Sequence, residues 1–273
     1  MKKKSLALIL VFCILFFVFI TSPDTKAYTP SQRYLQPVFE KVKIEKNLIY
    51  REVEDRKGNQ LSLKMDIYQP SEDSLEKRPL LVLIHGGGFR AGSKEAMKSR
   101  CEAFARFGYV TVSINYRLSA NHVKVFEDAI KDAVSDAQHA IDYLRIHADN
   151  YGVDTQQIFV GGSSAGGITS VHLGMEDSSW DKSGIKGIID LWGAFFGKDE
   201  EIDSKDPAVC IIHGELDPTV PIEHSIRLNK LLIENNVPVW FYPVENVKHG
   251  VPSPGPYPFH YQEALFLYSL LDF

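Results

Sequence analysis

Ser164 lies at the centre of Gly162-Ser163-Ser164-Ala165-Gly166, directly after the apolar run Ile158–Val160. A serine hydroxyl becomes a nucleophile when a tight strand-to-helix turn exposes it and small residues on either side let neighbouring backbones pass. Only Ser164 has glycine two positions before and two after. Counting from Ser163 puts Ala165 where the second glycine belongs. A glycine-rich turn without chemistry would read the same way, so the pentapeptide needs partners. His85-Gly86-Gly87-Gly88-Phe89 follows a second apolar run, Leu80–Ile84. Three successive glycines can aim backbone N–H groups at one point, as stabilisation of a tetrahedral oxyanion requires. The competing reading is a phosphate loop, but no Gly-Lys-Ser/Thr follows and the chain has no second half of a dinucleotide fingerprint.

A nucleophilic serine needs a base, and the base needs an acid to orient it. Lys248-His249-Gly250 lies beyond the last apolar run, Val239–Tyr242, in the Ser…Asp…His order of one known triad arrangement. His260 and His224 fit less well, because both fall in helical patterns. For the acid, Asp217 in His213-Gly214-Glu215-Leu216-Asp217-Pro218 follows the run Val209–Ile212. Glu215 and Asp190 are its rivals, and an Asp before Pro is also a common turn residue.

These loops need a frame. The stretch from Asn47 to Gln69 alternates apolar and polar residues around Lys57-Gly58-Asn59, the pattern of a β-hairpin. Beyond it, short apolar runs suited to strands buried on both faces alternate with helical patterns. The runs are Leu80–Ile84, Tyr109–Ile114, Ile158–Val160, Ile185–Leu191, Val209–Ile212 and Val239–Tyr242. The helices are expected over Glu95–Phe107, Phe126–Ile146, Ile222–Glu234 and Tyr261–Leu271. This alternation predicts an α/β fold, a mostly parallel central sheet with an N-terminal antiparallel hairpin and helices on both faces. Ligands of such sheets bind beyond the carboxyl ends of the strands, where the four motifs fall.

With those residues in view, the chain resembles the α/β-hydrolase superfamily, and within it the carboxylesterases related to hormone-sensitive lipase. Tyr151-Gly152-Val153-Asp154, Asn115-Tyr116-Arg117-Leu118 and the segment from His213 to Pro221 are also similar to that group. The resemblance implies Ser164 as nucleophile, His249 as base and Asp217 as acid. It implies an oxyanion hole from the amides of Gly87, Gly88 and Ala165. The implied activity is hydrolysis of short-acyl esters, extending to acyl groups on carbohydrates. Alternatives are a lipase for longer chains, a peptidase of the prolyl-oligopeptidase type, and a non-catalytic binding protein on the same fold. Two departures from the group stand out. Ser163 replaces the aspartate that many relatives carry, and there is little sequence for a helical cap, which favours an open site.

The N-terminus is a separate object. Lys2, Lys3 and Lys4 precede an uncharged apolar run from Leu6 to Ile20, then Thr25-Lys26-Ala27. This is the layout of a signal peptide over residues 1–27, leaving a single domain over 28–273 that is secreted or extracytoplasmic. An uncleaved membrane anchor is the alternative, although the apolar run is shorter than the ~20 residues of a spanning helix. No stable membrane insertion of the remaining chain is expected. The net charge of −5 and the lack of a basic patch argue against a nucleic-acid partner. No cluster has zinc-ligand spacing, so neither metal nor organic cofactor is expected. Cys101 and Cys210 are expected to be buried thiols rather than a bridge.

Overall fold

The computed structural model describes residues 33–119, 126–176, 179–250 and 260–273. The proposed signal segment therefore lies outside the described residues. The hairpin strands are β1 (Val42–Glu54) and β2 (Gln60–Pro70). They are followed by β3 (Arg78–Ile84), α1 (Lys98–Phe107), β4 (Val110–Ile114), α2 (Phe126–Ile146), α3 (Ala148–Tyr151) and β5 (Val153–Ser163). The chain continues through α4 (Ala165–Met175), β6 (Ile185–Leu191), β7 (Ala208–Gly214), α5 (Glu223–Glu234), β8 (Val239–Val244) and α6 (His260–Ser269).

All eight strands form one sheet in the order β1-β2-β4-β3-β5-β6-β7-β8. β1 pairs antiparallel with β2, and β2 with β4; every other pairing is parallel. Alternation along β3 shows how the sheet makes two cores. Leu80, Val82 and Ile84 face the layer of α2, α4 and α5, while Leu81 and Leu83 face α1 and α6. All five are fully buried, as expected of a central parallel strand covered on both sides. Cys101 and Cys210 are both buried and free, in the α1–α6 layer.

Three elements differ from their sequence patterns. The run Ile158–Val160 is only the centre of β5, which starts at Val153 because β3 offers pairing partners to Val153 and Asp154. The helix expected from Glu95 begins at Lys98, after a 3-10 turn over Lys94–Met97. Lys94 is held there, its ammonium 2.9 Å from Asp66 and its amide bonded to Asn115. β8 is an edge strand whose side chains are only partly covered, not buried on both faces. Between β6 and β7, residues 192–207 contain one short 3-10 turn, Asp199–Glu201, so no helical cap is inserted there. Among the described residues, no helix is long and apolar enough to cross a membrane.

Candidate active site

β3, β5, β6, β7 and β8 lie side by side in that order, and the carboxyl ends of β3, β5, β7 and β8 deliver the four motifs to one edge of the sheet. At the end of β5 the chain turns abruptly at Ser164, with φ 54° and ψ −118°, into α4. A non-glycine residue held there stores roughly 1–3 kcal/mol of strain. The flanking glycines make the turn possible. A Cβ on Gly166 would lie 2.0 Å from the Ile84 carbonyl oxygen, and one on Gly162 would lie 2.5 Å from that same oxygen and from the Gly166 carbonyl carbon. The Gly-x-Ser-x-Gly spacing thus lets the start of α4 cross the end of β3 at backbone contact.

The serine does not stand alone. Its Oγ is 2.9 Å from Nε2 of His249, and Nδ1 of His249 is 2.7 Å from Oδ2 of Asp217. A carboxylate only accepts, so Nδ1 carries the proton and Nε2 is left to accept from the Ser164 hydroxyl. Asp217 is buried, and burial alone would push its pKa up. Hydrogen bonds from His249 and from the amides of Val220 and Thr219 outweigh that and hold it below the usual carboxylate range. The Trp192 ring stands edge-on to His249 at 6.4 Å. The structure therefore brings Ser164, His249 and Asp217, residues 85 and 32 apart in pairs, into one hydrogen-bonded line.

The rivals sit elsewhere. Glu215 is exposed. His224 packs against Phe196 at 5.1 Å. His260 lies beside Phe104 in the α1–α6 layer, where burial and the nearby Arg100 lower its pKa to about 4. Asp190 is fully buried below the turn that follows β6, where its Oδ1 accepts the Gly193 amide. Among the described residues its Oδ2 has no hydrogen-bond partner, and burial raises the pKa to about 7 despite the Gly193 bond. The unfolded chain ionises near pH 4 and the folded chain only near 7, so Asp190 removes stability as pH rises between those values. Asp190→Asn keeps an oxygen for Gly193 and cannot ionise. Relative to wild type it should gain on the order of a few kcal/mol between pH 5 and pH 8, read as a melting-temperature difference that widens with pH. A difference that stays constant across that range would refute the assignment of a neutral Asp190.

The glycine loop faces Ser164 from β3. A Cβ on Gly86 would stand 3.3 Å from the Ser164 Cβ. His85 is buried, stacks on Tyr116 at 4.4 Å, and donates from Nδ1 to the Gly86 carbonyl at 2.7 Å. The Tyr116 hydroxyl donates in turn to the His85 carbonyl. Because the peptide is planar and trans, holding the Gly86 carbonyl toward the imidazole turns the Gly87 N–H the opposite way. Gly87 and Gly88 adopt φ of 116° and 61°, a region closed to most side chains. Among the described residues, no hydrogen bond takes up their amides. The Ala165 amide is the first of α4 and has no acceptor within the helix. Among the described residues, these three amides thus have no acceptor. Among the described residues there is no cluster that could hold a metal ion.

Sequence reasoning gave no role to three residues that shape this site: Tyr116, Trp192 and His213. Tyr116 stood in a segment noted only for its likeness to the group, and Trp192 carries no local signal. His213 stood inside a motif read for its carboxylate alone.

A strained serine elbow at the carboxyl edge of a mostly parallel eight-stranded sheet, with helices on both faces, defines the α/β-hydrolase fold. Comparison with known proteins agrees. The BD-FAE family model matches residues 65–192. Probable carboxylesterase 8 of Arabidopsis thaliana is 34% identical over 155 residues, which are 49% of this chain and 45% of that protein. Probable dipeptidyl-peptidase 5 of Emericella nidulans is 27% identical over 224 residues, 69% of this chain and 31% of that protein. This chain thus spans less than half the length of either relative. Thermogutta terrifontis esterase 2 superposes with a TM-score of 0.66 at 26% identity, over 85% of this chain and 94% of its own. The chain has the α/β-hydrolase fold, and carboxylesterases are among the proteins it is similar to.

Proposed function

We propose that this protein hydrolyses carboxylic esters of short acyl groups through an acyl-enzyme on Ser164. The observation that carries this reading is the unbroken line Ser164–His249–Asp217 beside the unpaired amides of the glycine loop. His249 Nε2 takes the hydroxyl proton as Ser164 Oγ attacks the ester carbonyl, and Asp217 stabilises the imidazolium that forms. The carbonyl oxygen becomes an oxyanion and is met by the amides of Gly87, Gly88 and Ala165, each donor worth about 3–4 kcal/mol. The imidazolium protonates the departing alcohol. Water, deprotonated by the same imidazole, then releases the carboxylic acid and restores the serine.

Two observations favour a short acyl group on a large alcohol, such as an acylated carbohydrate. No cap is inserted between β6 and β7. Phe126 and Phe196, each 43% exposed, meet edge to face at 5.2 Å, and Phe126 packs on Phe89 of the glycine loop at 5.6 Å, so exposed aromatic faces on which a sugar ring can stack lie beside that loop. The related Thermogutta esterase has been solved with propionate and with butyrate bound. Cleavage of residues 1–27 would place the enzyme outside the cytoplasm, and N-terminal sequencing of exported protein tests that. A peptidase is the second reading, favoured by the likeness to a dipeptidyl-peptidase over 69% of the chain.

A panel of p-nitrophenyl esters of increasing acyl length, run beside acetylated and feruloylated sugars and an aminoacyl-anilide, separates these. We expect kcat/KM to be highest for acetate to butyrate and to fall for chains of eight carbons and longer. A preference for long emulsified esters would make the protein a lipase, and cleavage of the anilide alone would make it a peptidase.

A further inference from the structure

The acid of the site is gripped from two sides. Oδ1 of Asp217 accepts the amides of Thr219 at 2.8 Å and Val220 at 3.0 Å. Oδ2 faces His249 at 2.7 Å and a second imidazole, that of His213, at 3.3 Å. His213 is the penultimate residue of β7, four residues before Asp217, and its side chain is fully buried. Its Nε2 lies 2.8 Å from the Val220 carbonyl oxygen. A carbonyl only accepts, so Nε2 carries a proton, and that N–H lies between the Val220 oxygen and the Asp217 carboxylate. Nδ1 is then an acceptor and receives the buried Ser225 hydroxyl at 2.7 Å, from the first turn of α5. Val220 closes the ring, because its amide holds Asp217 while its carbonyl is held by His213.

This ring does more than close a loop. A carboxylate held only by the two loop amides at Oδ1 could still swing Oδ2 away from His249. The second imidazole sits where that swing would begin, on the same oxygen. Its ring is itself locked in one tautomer by Ser225 on one edge and Val220 on the other.

We propose that His213 is a positioning residue for the reaction, holding Oδ2 of Asp217 against Nδ1 of His249 through a neutral, Nε2-protonated imidazole. The proposal rests on the acyl-enzyme reading given above. Burial lowers the pKa of His213, which keeps the ring neutral and its Nδ1 free to accept from Ser225.

The test compares wild type with His213→Phe, His213→Gln and Ser225→Ala. Phenylalanine fills the volume without the N–H. Glutamine offers one amide N–H and one oxygen acceptor on a side chain of similar reach. Ser225→Ala removes only the hydroxyl that fixes the tautomer. For His213→Phe we expect kcat on p-nitrophenyl acetate to fall roughly 10- to 100-fold, the scale of a small misplacement at a reacting centre, with KM within twofold. The downfield proton resonance of His249 Nδ1–H, recorded on the free enzyme, should disappear or move upfield. His213→Gln should recover most of both signals, and Ser225→Ala should lower kcat several-fold in the same pattern. A folded His213→Phe with wild-type kcat and an unmoved downfield proton overturns the proposal. So does a loss of kcat that glutamine does not repair while the proton stays in place, since that is what plain loss of packing would do. If His213→Phe does not fold, Ser225→Ala decides on the same two readouts. The downfield proton needs no substrate, so it reports on His213 even if the wild type hydrolyses no ester, in which case the esterase reading fails by itself.

Discussion

Ser164→Ala is expected to lower kcat for p-nitrophenyl acetate by about a million-fold, the scale seen when a triad serine is removed elsewhere. The substitution deletes one oxygen and leaves the rest of the site standing. His249 keeps its bond to Asp217, and the amides of Gly87, Gly88 and Ala165 keep their places. On the proposed mechanism, what disappears is the atom that forms the acyl-enzyme, so attack must come from water with no covalent step. The donors that remain should sustain about a thousand-fold over the uncatalysed rate. Stability should change by less than about 1 kcal/mol, because alanine inherits the same φ of 54° and the Ser164 backbone bonds to Leu191 and Ile168 are untouched. The measurement is steady-state hydrolysis beside a thermal melt, with a fluorophosphonate label as a stoichiometric check. Wild type should take up one label and the variant none. Full activity in a folded Ser164→Ala, or undiminished labelling, removes Ser164 from its role.

Asp217→Asn is expected to lower kcat about ten-thousand-fold with little change in KM, and the reason is specific to this loop. Asparagine is nearly the same size, so the effect turns on which way its amide faces. The amides of Thr219 and Val220 both donate to Oδ1. An NH2 group there would meet two donors, so the asparagine oxygen must occupy that position. The NH2 group then falls at Oδ2, facing His249 Nδ1 and the N–H of His213. It can only donate to Nδ1, which drives the proton of His249 to Nε2 and leaves no acceptor for the Ser164 hydroxyl. The wrong tautomer is thus imposed by two backbone amides. Burst and steady-state kinetics on an activated ester should show acylation slowed with binding preserved. A loss below tenfold would mean that another acid serves His249, and Asp190→Asn in the same background would identify it.

Much of this was legible along the chain. The helix over Phe126–Ile146 announces itself by spacing, and the central strands by unbroken apolar runs, because burial on one stripe or on both faces leaves a local signature. The elbow is legible because only glycine permits the contact between the start of α4 and the end of β3. The glycine loop is legible for a similar reason, since positive φ at Gly87 and Gly88 excludes most other residues. Where reading fell short, the cause is also physical. The extra length of β5 depends on partners that β3 supplies from 75 residues away, and the partial exposure of β8 depends on its place at the sheet edge.

Residue types and their order therefore specified the parts: a serine between spaced glycines, a glycine-rich donor loop, a histidine after the last strand, and a short choice of acids. Choosing among those acids was beyond any one-dimensional pattern, because Asp217 and Glu215 follow a strand and Asp190 lies near the end of one. The folded chain separates them by environment, leaving Glu215 in solvent, enclosing Asp190 as a neutral acid, and surrounding Asp217 with four N–H groups. Charge stability depends on what surrounds a group in three dimensions, and those surroundings are assembled from segments that sequence keeps far apart.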